Sequence, residues 1–238
     1  MGFYESIVEH YDAIFPTRPN KIAFVDQLAA SNGAQSLLDI GCATGSFAAA
    51  MAERLGRVEA FDLDASMINI AKSRHGDANP SFQVGNMLKV DELYPGQTFD
   101  IITCFGNTLV HIKPHEVQDV LEKVRSMLSN IGIFVLQILN YDHILNNDIT
   151  ELPLIDNPMV RFARHYTLGK DSILFHTQLL VKVTQETHKS TIALYPILLS
   201  ELLAGLDAAG FGQVTCYQSY KGDKEDGKHL PRIVVAKP

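Results

Sequence analysis

One carboxylate and two glycines stand within Asp39-Ile40-Gly41-Cys42-Ala43-Thr44-Gly45, and a second carboxylate, Asp62, closes the next apolar run. The apolar residues ahead of Asp39 read as a buried strand, the glycines as a turn, and the residues after Gly45 as the start of a helix. Gly41 and Gly45 can take positive φ and leave bare backbone against a ligand. The N–H groups from Ser46 onward can receive an anionic group. Asp62 offers fixed acceptors to two neighbouring hydroxyls, as on a ribose. Together these residues are suited to holding a nucleoside.

Residue order narrows the nucleoside. A dinucleotide fingerprint reads G-x-G-x-x-G because a pyrophosphate must sit on the helix N-terminus. Here the run is D-x-G-x-A-x-G. A pyrophosphate would be repelled by the extra carboxylate, whereas a ligand carrying an ammonium and a sulfonium would be drawn to it, directly or through water. The spacing therefore points to S-adenosylmethionine as the cofactor. Asp39 has a second reading, as a cap on the turn's own backbone, and Asp62 could instead cap a helix starting at Ala65.

On these residues the chain resembles the class I S-adenosylmethionine-dependent methyltransferases, from about Tyr4 to the C-terminus. Four further segments follow the turn in the family's order: VEAFDLDASMINIAKSR, FQVGNMLKV, FDIITCFGNTLVHI and GIFVLQILNYDHIL. The resemblance implies that Asp62 holds the ribose, with Leu63 and Met67 near the adenine. It puts Asn86, followed by Met87, where an aspartate usually accepts from the adenine amino group, and it lines the methyl with Cys104, Phe105 and Gly106. Two departures stand out. Ala43 replaces the middle glycine of the turn, a methyl that a small backbone shift should absorb. Asn86 keeps an amide oxygen but lacks the charge. The runs CFGNTLVHI and ILNYDHIL are locally similar to glycine and sarcosine N-methyltransferases.

Methyl transfer is an in-line displacement at carbon, so alignment of the nucleophile is the main demand. Covalent catalysis is unnecessary, and a base matters only for a protonated or poorly acidic nucleophile. No residue is assigned a catalytic role. Candidate acceptor contacts are Asn107 and His111 after the fourth strand, Asn140 and Tyr141 after the fifth, and Arg161 and Tyr166 beyond them, with Arg164 and His165 nearby. Each has a plain packing alternative: Asn107 as a cap of TLVHI, His111 beneath the sheet edge, Tyr141 as a core aromatic, the arginines on a solvated strand face. Alternation sends Arg161, Ala163 and His165 to one face and Phe162, Arg164 and Tyr166 to the other. Tyr11, with Arg18 or Lys21, can approach the methionine end of the cofactor, or Tyr11 can serve helix packing.

The elements that must position these groups alternate along the chain. Strands are expected over residues 36–40, 57–62, 81–85, 99–104 and 131–139, with helices near 45–55, 65–75 and 114–128. Such alternation predicts a Rossmann-like, seven-stranded, mostly parallel α/β sheet with helices on both faces. Residues 3–15 and 18–31 read as an N-terminal helical cover, within a segment 1–33 that precedes a cofactor-binding core over 34–139. Residues 140–196 break the pattern with three strands, a small antiparallel insertion after the fifth strand over the acceptor side. A helix over 198–209 capped by Gly210, then strands over 212–220 and 231–237, complete a single domain, with 197–238 supplying a final β-hairpin.

Length and composition fit one globular domain of 238 residues, 46% hydrophobic and 20% charged. A net charge of −7 with scattered basic residues argues against nucleic acid as partner. No apolar run reaches membrane-spanning length, the start lacks a signal peptide, and a myristoylation-like Gly2 and Ser6 read as chance. Three separated cysteines fit free thiols in a reducing cytoplasm. No acidic pair follows the fourth strand, so no metal is expected. The preferred function is methyl transfer to a small-molecule acceptor, an amine nitrogen favoured over a metal-independent hydroxyl. The competing readings are a nicotinamide-dependent Rossmann oxidoreductase and a non-catalytic S-adenosylmethionine-binding protein.

Overall fold

A computed structural model describes residues 7–238. Tyr4, Gly2, Ser6 and the first residues of the helix expected over 3–15 lie outside the described residues. In chain order the elements are α1 (Tyr11–Ile14), α2 (Pro19–Asn32), β1 (Ser36–Ile40), α3 (Ser46–Ala52), β2 (Arg57–Asp62), α4 (Ala65–His75) and β3 (Ser81–Val84). There follow α5 (Val90–Leu93), β4 (Phe99–Cys104), α6 (Pro114–Met127), β5 (Leu128–Leu139), α7 (Tyr141–Asn146), β6 (Ile155–Asp156), β7 (Val160–Leu168), β8 (Ile173–Val181) and β9 (Thr187–Leu194). The chain closes with α8 (Leu199–Ala208), β10 (Gln213–Tyr217) and β11 (Pro231–Lys237).

Seven strands form one sheet in the order β10-β11-β5-β4-β1-β2-β3, parallel except that β11 runs antiparallel to both of its neighbours. The central strands are apolar without alternation because both faces are covered. Leu38 and Ile40 join one buried cluster with α6 and α8, while Leu37 joins the other with α2, α3 and α4. Asp39 points to the second of these faces, and its registered neighbour on β4 is Thr103. Strand β5 begins earlier than its apolar run suggests: Leu128 pairs with Phe99, and regular pairing resumes only at Ile133 with Ile101. The residues between bulge outward, and Ser129 donates its hydroxyl to Asp100 (2.9 Å).

Helix α6 starts as the sequence suggests, with Pro114 in its first turn and Glu116 accepting from the Lys113 N–H (2.8 Å). Gly210, at φ +88°, lets the chain reverse after α8. Two local readings change. Among the described residues, the helix expected over 3–15 is a 3-10 turn followed by the short α1, which ends because Phe15 leaves the helical region ahead of Pro16. Residues after Asn140, where the sequence suggested no helix, form α7, capped by the Asn140 side chain on the His143 N–H (3.1 Å).

The insertion is a separate antiparallel sheet, β6-β7-β8-β9, one strand more than the three expected. Its inner face, Val160, Phe162, Leu179 and Val181, buries Ile7 and Ile14 of the N-terminal segment. Burying such side chains stabilises by about 1.5–3 kcal/mol each, against about 0–1 kcal/mol for an exposed ion pair. Apolar packing therefore holds the cover on the insertion.

The last β-hairpin is tied to the insertion's root by one buried arginine. Arg232 donates to Glu225 (2.8 Å), Asp142 (2.8 Å) and the Asn140 side-chain oxygen (2.9 Å) and is 1% exposed. Removing it would strand two carboxylates, one of them almost fully buried. Arg232→Met is expected to lower unfolding free energy by about 3–5 kcal/mol in urea titrations. Pairing it with Glu225→Leu should recover part of that loss.

Candidate functional site

At the carboxyl ends of β1 and β2 the backbone turns on a single side chain. Asp62 accepts from the Ala43 N–H through Oδ2 (2.8 Å) and from the Asp64 N–H through Oδ1 (3.0 Å). A carboxylate has about four lone-pair sites, so Asp62 keeps acceptor capacity for another donor. Asp64, not Asp62, caps α4, accepting from the Ser66 N–H (2.8 Å). Gly41 and Cys42 donate their N–H groups to the Phe61 carbonyl (2.9 and 3.0 Å). The turn is closed by β2 and not by Asp39. Gly41 sits at φ +73°, and a Cβ there would meet the Thr108 methyl at 2.6 Å. Ala43 holds a left-handed φ of +49°, a conformation that costs a side-chain-bearing residue roughly 1–2 kcal/mol. The Asp62 hydrogen bond helps to hold it there.

Asp39 is almost fully buried and accepts from the Thr103 hydroxyl (2.7 Å). Burial pushes its carboxyl up to about 6, against the opposing pull of Thr103 and Lys21. Lys21 packs over the rings of Phe47 (4.6 Å) and Phe105 (4.8 Å), and burial lowers its pKa. An acid and a base thus face one lobe of the cavity, matching the ammonium and carboxylate of an amino-acid end. The start of α3 is differently placed from the sequence reading. The Asp12 carboxylate, paired with Arg74, accepts from the hydroxyls of Thr44 (2.7 Å) and Ser46 (3.2 Å). An anion already lies there, so Lys21, with Arg18 also lining the lobe, is the better partner for a ligand carboxylate.

Two lobes meet at Tyr11, Gly41, Ala43, Gly106 and His111. The smaller, about 500 Å³, is lined by Asp62, Leu63, Met67, Asn86 and Met87. Leu63 is 71% exposed, an apolar side chain available to a flat ring. Asn86 already accepts from the Leu88 N–H (3.0 Å), leaving one lone pair on its oxygen. The larger lobe, about 630 Å³, includes Asp39, Cys42, Phe105 and Asn107, with Arg164 and Tyr166 from the insertion.

A polar chain crosses the wall of that larger lobe. The Leu139 N–H donates to the Asn107 oxygen (3.0 Å), and the Asn107 amide donates to the Tyr141 hydroxyl (2.8 Å). Tyr141 in turn donates to the hydroxyl of Tyr166, whose pKa burial pushes up to about 12. Asn107 makes no cap on the following turn. Burial drives His111 down to about 4, so it is neutral at neutral pH.

Of the residues singled out from sequence, Tyr11, Asp39, Gly41, Cys42, Ala43, Asp62, Leu63, Met67, Asn86, Met87, Phe105, Gly106, Asn107, His111 and Tyr166 line the two lobes. Gly45, packed against Phe82 and Ala71, and the buried Cys104 line neither lobe. Tyr141 is buried and acts through its neighbours. Asn140 is set aside from the cavity: its amide donates to the Gly227 (3.1 Å) and His229 (3.2 Å) carbonyls, and its oxygen serves Arg232 and α7. Arg161 lies on the outer face of β7, 3.7 Å from Asp156, whereas Arg164 faces inward. Asp12 was not anticipated, because its partners come from the glycine turn, α3 and α4. Its place one residue after Tyr11 was the available signal.

Residues 37–132 match the family model described as a methyltransferase domain. Over that stretch the chain is similar to the class I S-adenosylmethionine-dependent methyltransferases. A glycine N-methyltransferase from Oryctolagus cuniculus is 28% identical over 134 residues, 50% of this chain and 45% of that protein. A dTDP-3-amino-3,6-dideoxy-alpha-D-glucopyranose N,N-dimethyltransferase from Streptomyces fradiae is 30% identical over 105 residues, 44% of this chain and 39% of that protein. The matched stretch is therefore less than half the length of either curated relative. The fold agrees over the whole chain with a crystal structure of an S-adenosylmethionine-dependent methyltransferase from Clostridium acetobutylicum, at a TM-score of 0.82, 16% identity and 99% coverage of both chains. S-adenosylmethionine is the cofactor of this methyltransferase domain, and the lone pairs of Asp62 and the Asp39–Lys21 pair fit it.

Asp62→Ala should weaken S-adenosylhomocysteine binding by roughly 3 kcal/mol or more, on the order of a hundredfold in Kd by calorimetry. The cofactor's ammonium favours charged Asp39, so binding releases a proton from a carboxyl raised to about 6. Affinity should be level above that pH and fall by up to about tenfold per unit below it. Asp39→Asn should bind more weakly at neutral pH and show no such slope.

Proposed function

We propose that this methyltransferase moves the methyl group of S-adenosylmethionine to a small-molecule acceptor, with nitrogen favoured over oxygen. The observation that carries the reading is the meeting of the two lobes: the smaller one, lined by Asp62, Leu63 and Asn86, opens at Gly41, Gly106 and His111 into a chamber walled by the insertion. When bound, the cofactor supplies an activated methyl and a neutral leaving group. The chain's own residues do the remainder. Asp62 holds the sugar, Leu63, Met67, Asn86 and Met87 surround the base, and Asp39 and Lys21 grip the amino-acid end. The 140–196 insertion, with α1, excludes water from the reacting centre.

Nitrogen is favoured by the state of His111. A neutral imidazole pushed down to about 4 is a weak base, poorly suited to deprotonating an ordinary hydroxyl. An amine arriving in its neutral form needs no such help. Both curated relatives cited above are N-methyltransferases by name. Asn107, Tyr141 and Tyr166 then orient the acceptor, contributing through alignment.

The oxidoreductase reading is opposed by Asp12, whose carboxylate lies across the Ser46 hydroxyl where a pyrophosphate would need open N–H groups. Among the described residues no group of three or more His, Cys, Asp or Glu side chains could hold a metal. None of their helices is long and apolar enough to cross a membrane. The acidic net charge favours a small acceptor over a nucleic acid, and free cysteines at Cys42, Cys104 and Cys216 fit a reducing cytoplasm.

A panel of primary and secondary amines and hydroxylated compounds, read out as S-adenosylhomocysteine formed, tests the reading. Turnover is expected with an amine and is expected to be unchanged by EDTA or magnesium. No turnover with any acceptor, despite cofactor binding, would favour a non-catalytic binding protein. Tyr141→Phe removes two hydrogen bonds, one from Asn107 and one to Tyr166, each worth about 0.5–1.5 kcal/mol. It should lower kcat/KM by about fivefold to a hundredfold while leaving S-adenosylhomocysteine affinity unchanged.

A further inference from the structure

Two guanidinium groups in this protein lie largely out of water, and they are treated oppositely. Arg232 is enclosed by Glu225, Asp142 and Asn140. Arg164, on the inward face of β7, faces the larger lobe and, among the described residues, its side chain makes one hydrogen bond, to the Pro153 carbonyl (2.8 Å). The rings of Phe15 and Phe162 each lie 5.9 Å from the guanidinium carbon. Among the described residues its Nε is buried without a hydrogen-bond partner, and no carboxylate pairs with it.

A guanidinium held against apolar surface without an anion is costly, and burial lowers the pKa of Arg164 accordingly. Such a group becomes favourable when a carboxylate or phosphoryl oxyanion meets its planar fork. Two residues along the same face, Tyr166 accepts from Tyr141, which leaves its own proton to donate. The carboxylates lining this lobe are directed elsewhere, Asp12 to Arg74 and Asp39 to Thr103 and the amino-acid end of the cofactor. Lys21, on the α3 side, is available to the cofactor's own carboxylate. The chamber walls around Arg164 are apolar, Leu152, Phe175 and Leu194 among them.

We propose that Arg164, assisted by Tyr166, binds an oxyanion of the methyl acceptor, and that the acceptor is an amine bearing a carboxylate or phosphoryl group on an apolar body. This rests on the methyl-transfer reading, and it asks for a larger, less polar acid than glycine.

Calorimetry on the full chain, with and without saturating S-adenosylhomocysteine, tests the assignment with phenylacetate, phenylphosphonate and neutral phenylacetamide as probes. At least one anion should bind at least tenfold more tightly than the amide, and which one binds separates carboxylate from phosphoryl recognition. Arg164→Gln should lose that preference, Arg164→Lys should keep part of it, and S-adenosylhomocysteine affinity should be unchanged in both. Equal binding of acid and amide, no binding of either anion, or an unaltered preference in Arg164→Gln would overturn the proposal. A tenfold loss of S-adenosylhomocysteine affinity in Arg164→Gln would overturn it too, by giving the arginine to the cofactor. Failure of the wild-type protein to bind S-adenosylhomocysteine would instead sink the methyl-transfer reading, while the probes titrated alone still decide the role of Arg164.

Discussion

A carboxylate has enough lone pairs to close a turn and still receive a ligand, and Asp62 is placed to do both. Its two oxygens take the N–H groups of Ala43 and Asp64, which join the turn after β1 to the end of β2. The same bond holds Ala43 in a left-handed conformation that its side chain disfavours. Burial raises the pKa of Asp62, with the backbone N–H groups of Asp64, Ala43 and Leu63 working against that shift. The turn is therefore shaped before any ligand arrives, and the unused lone pairs are aimed by a backbone that cannot easily relax.

Around that point the charges are divided by location. Asp39 and Lys21 occupy the lobe where a zwitterion can lie between them, and both are disfavoured by burial until it does. Asp12 sits at the start of α3, joined to Thr44, Ser46 and Arg74. It clasps the N-terminal segment to the glycine turn and replaces the anion that a dinucleotide would bring. One carboxylate thus closes the cover and biases the crevice toward a cofactor with positive charge.

The two covers also depend on each other. Ile7 and Ile14 pack into the insertion sheet, and Tyr141 reaches from its root to Tyr166 on β7. Arg232 fixes that root to the final hairpin with a full set of partners. Arg164, given almost none, is the place where the chamber departs from a well-satisfied interior. Buried groups with unmet electrostatic demand cluster at functional sites more than elsewhere.

The central sheet was readable because parallel strands covered on both faces must be continuous apolar runs, and Leu37, Leu38 and Ile40 leave little alternative. Asp62 was readable for a related reason: a carboxylate ending such a strand stands at the ligand-binding edge of the sheet. The alternation of β7 was equally local, placing Arg161 and Arg164 on opposite faces. Which face looked inward was decided by the packing of Phe162 against Ile7 and Ile14, a contact between distant segments. Asn140 looked like a site residue beside Tyr141, yet its charged partner lies 92 positions further on. Periodicity and chain-end chemistry are properties of neighbouring residues, so the sequence alone determined them. Polar partnership across the fold depends on where two strands meet in space, and only the tertiary structure decided it.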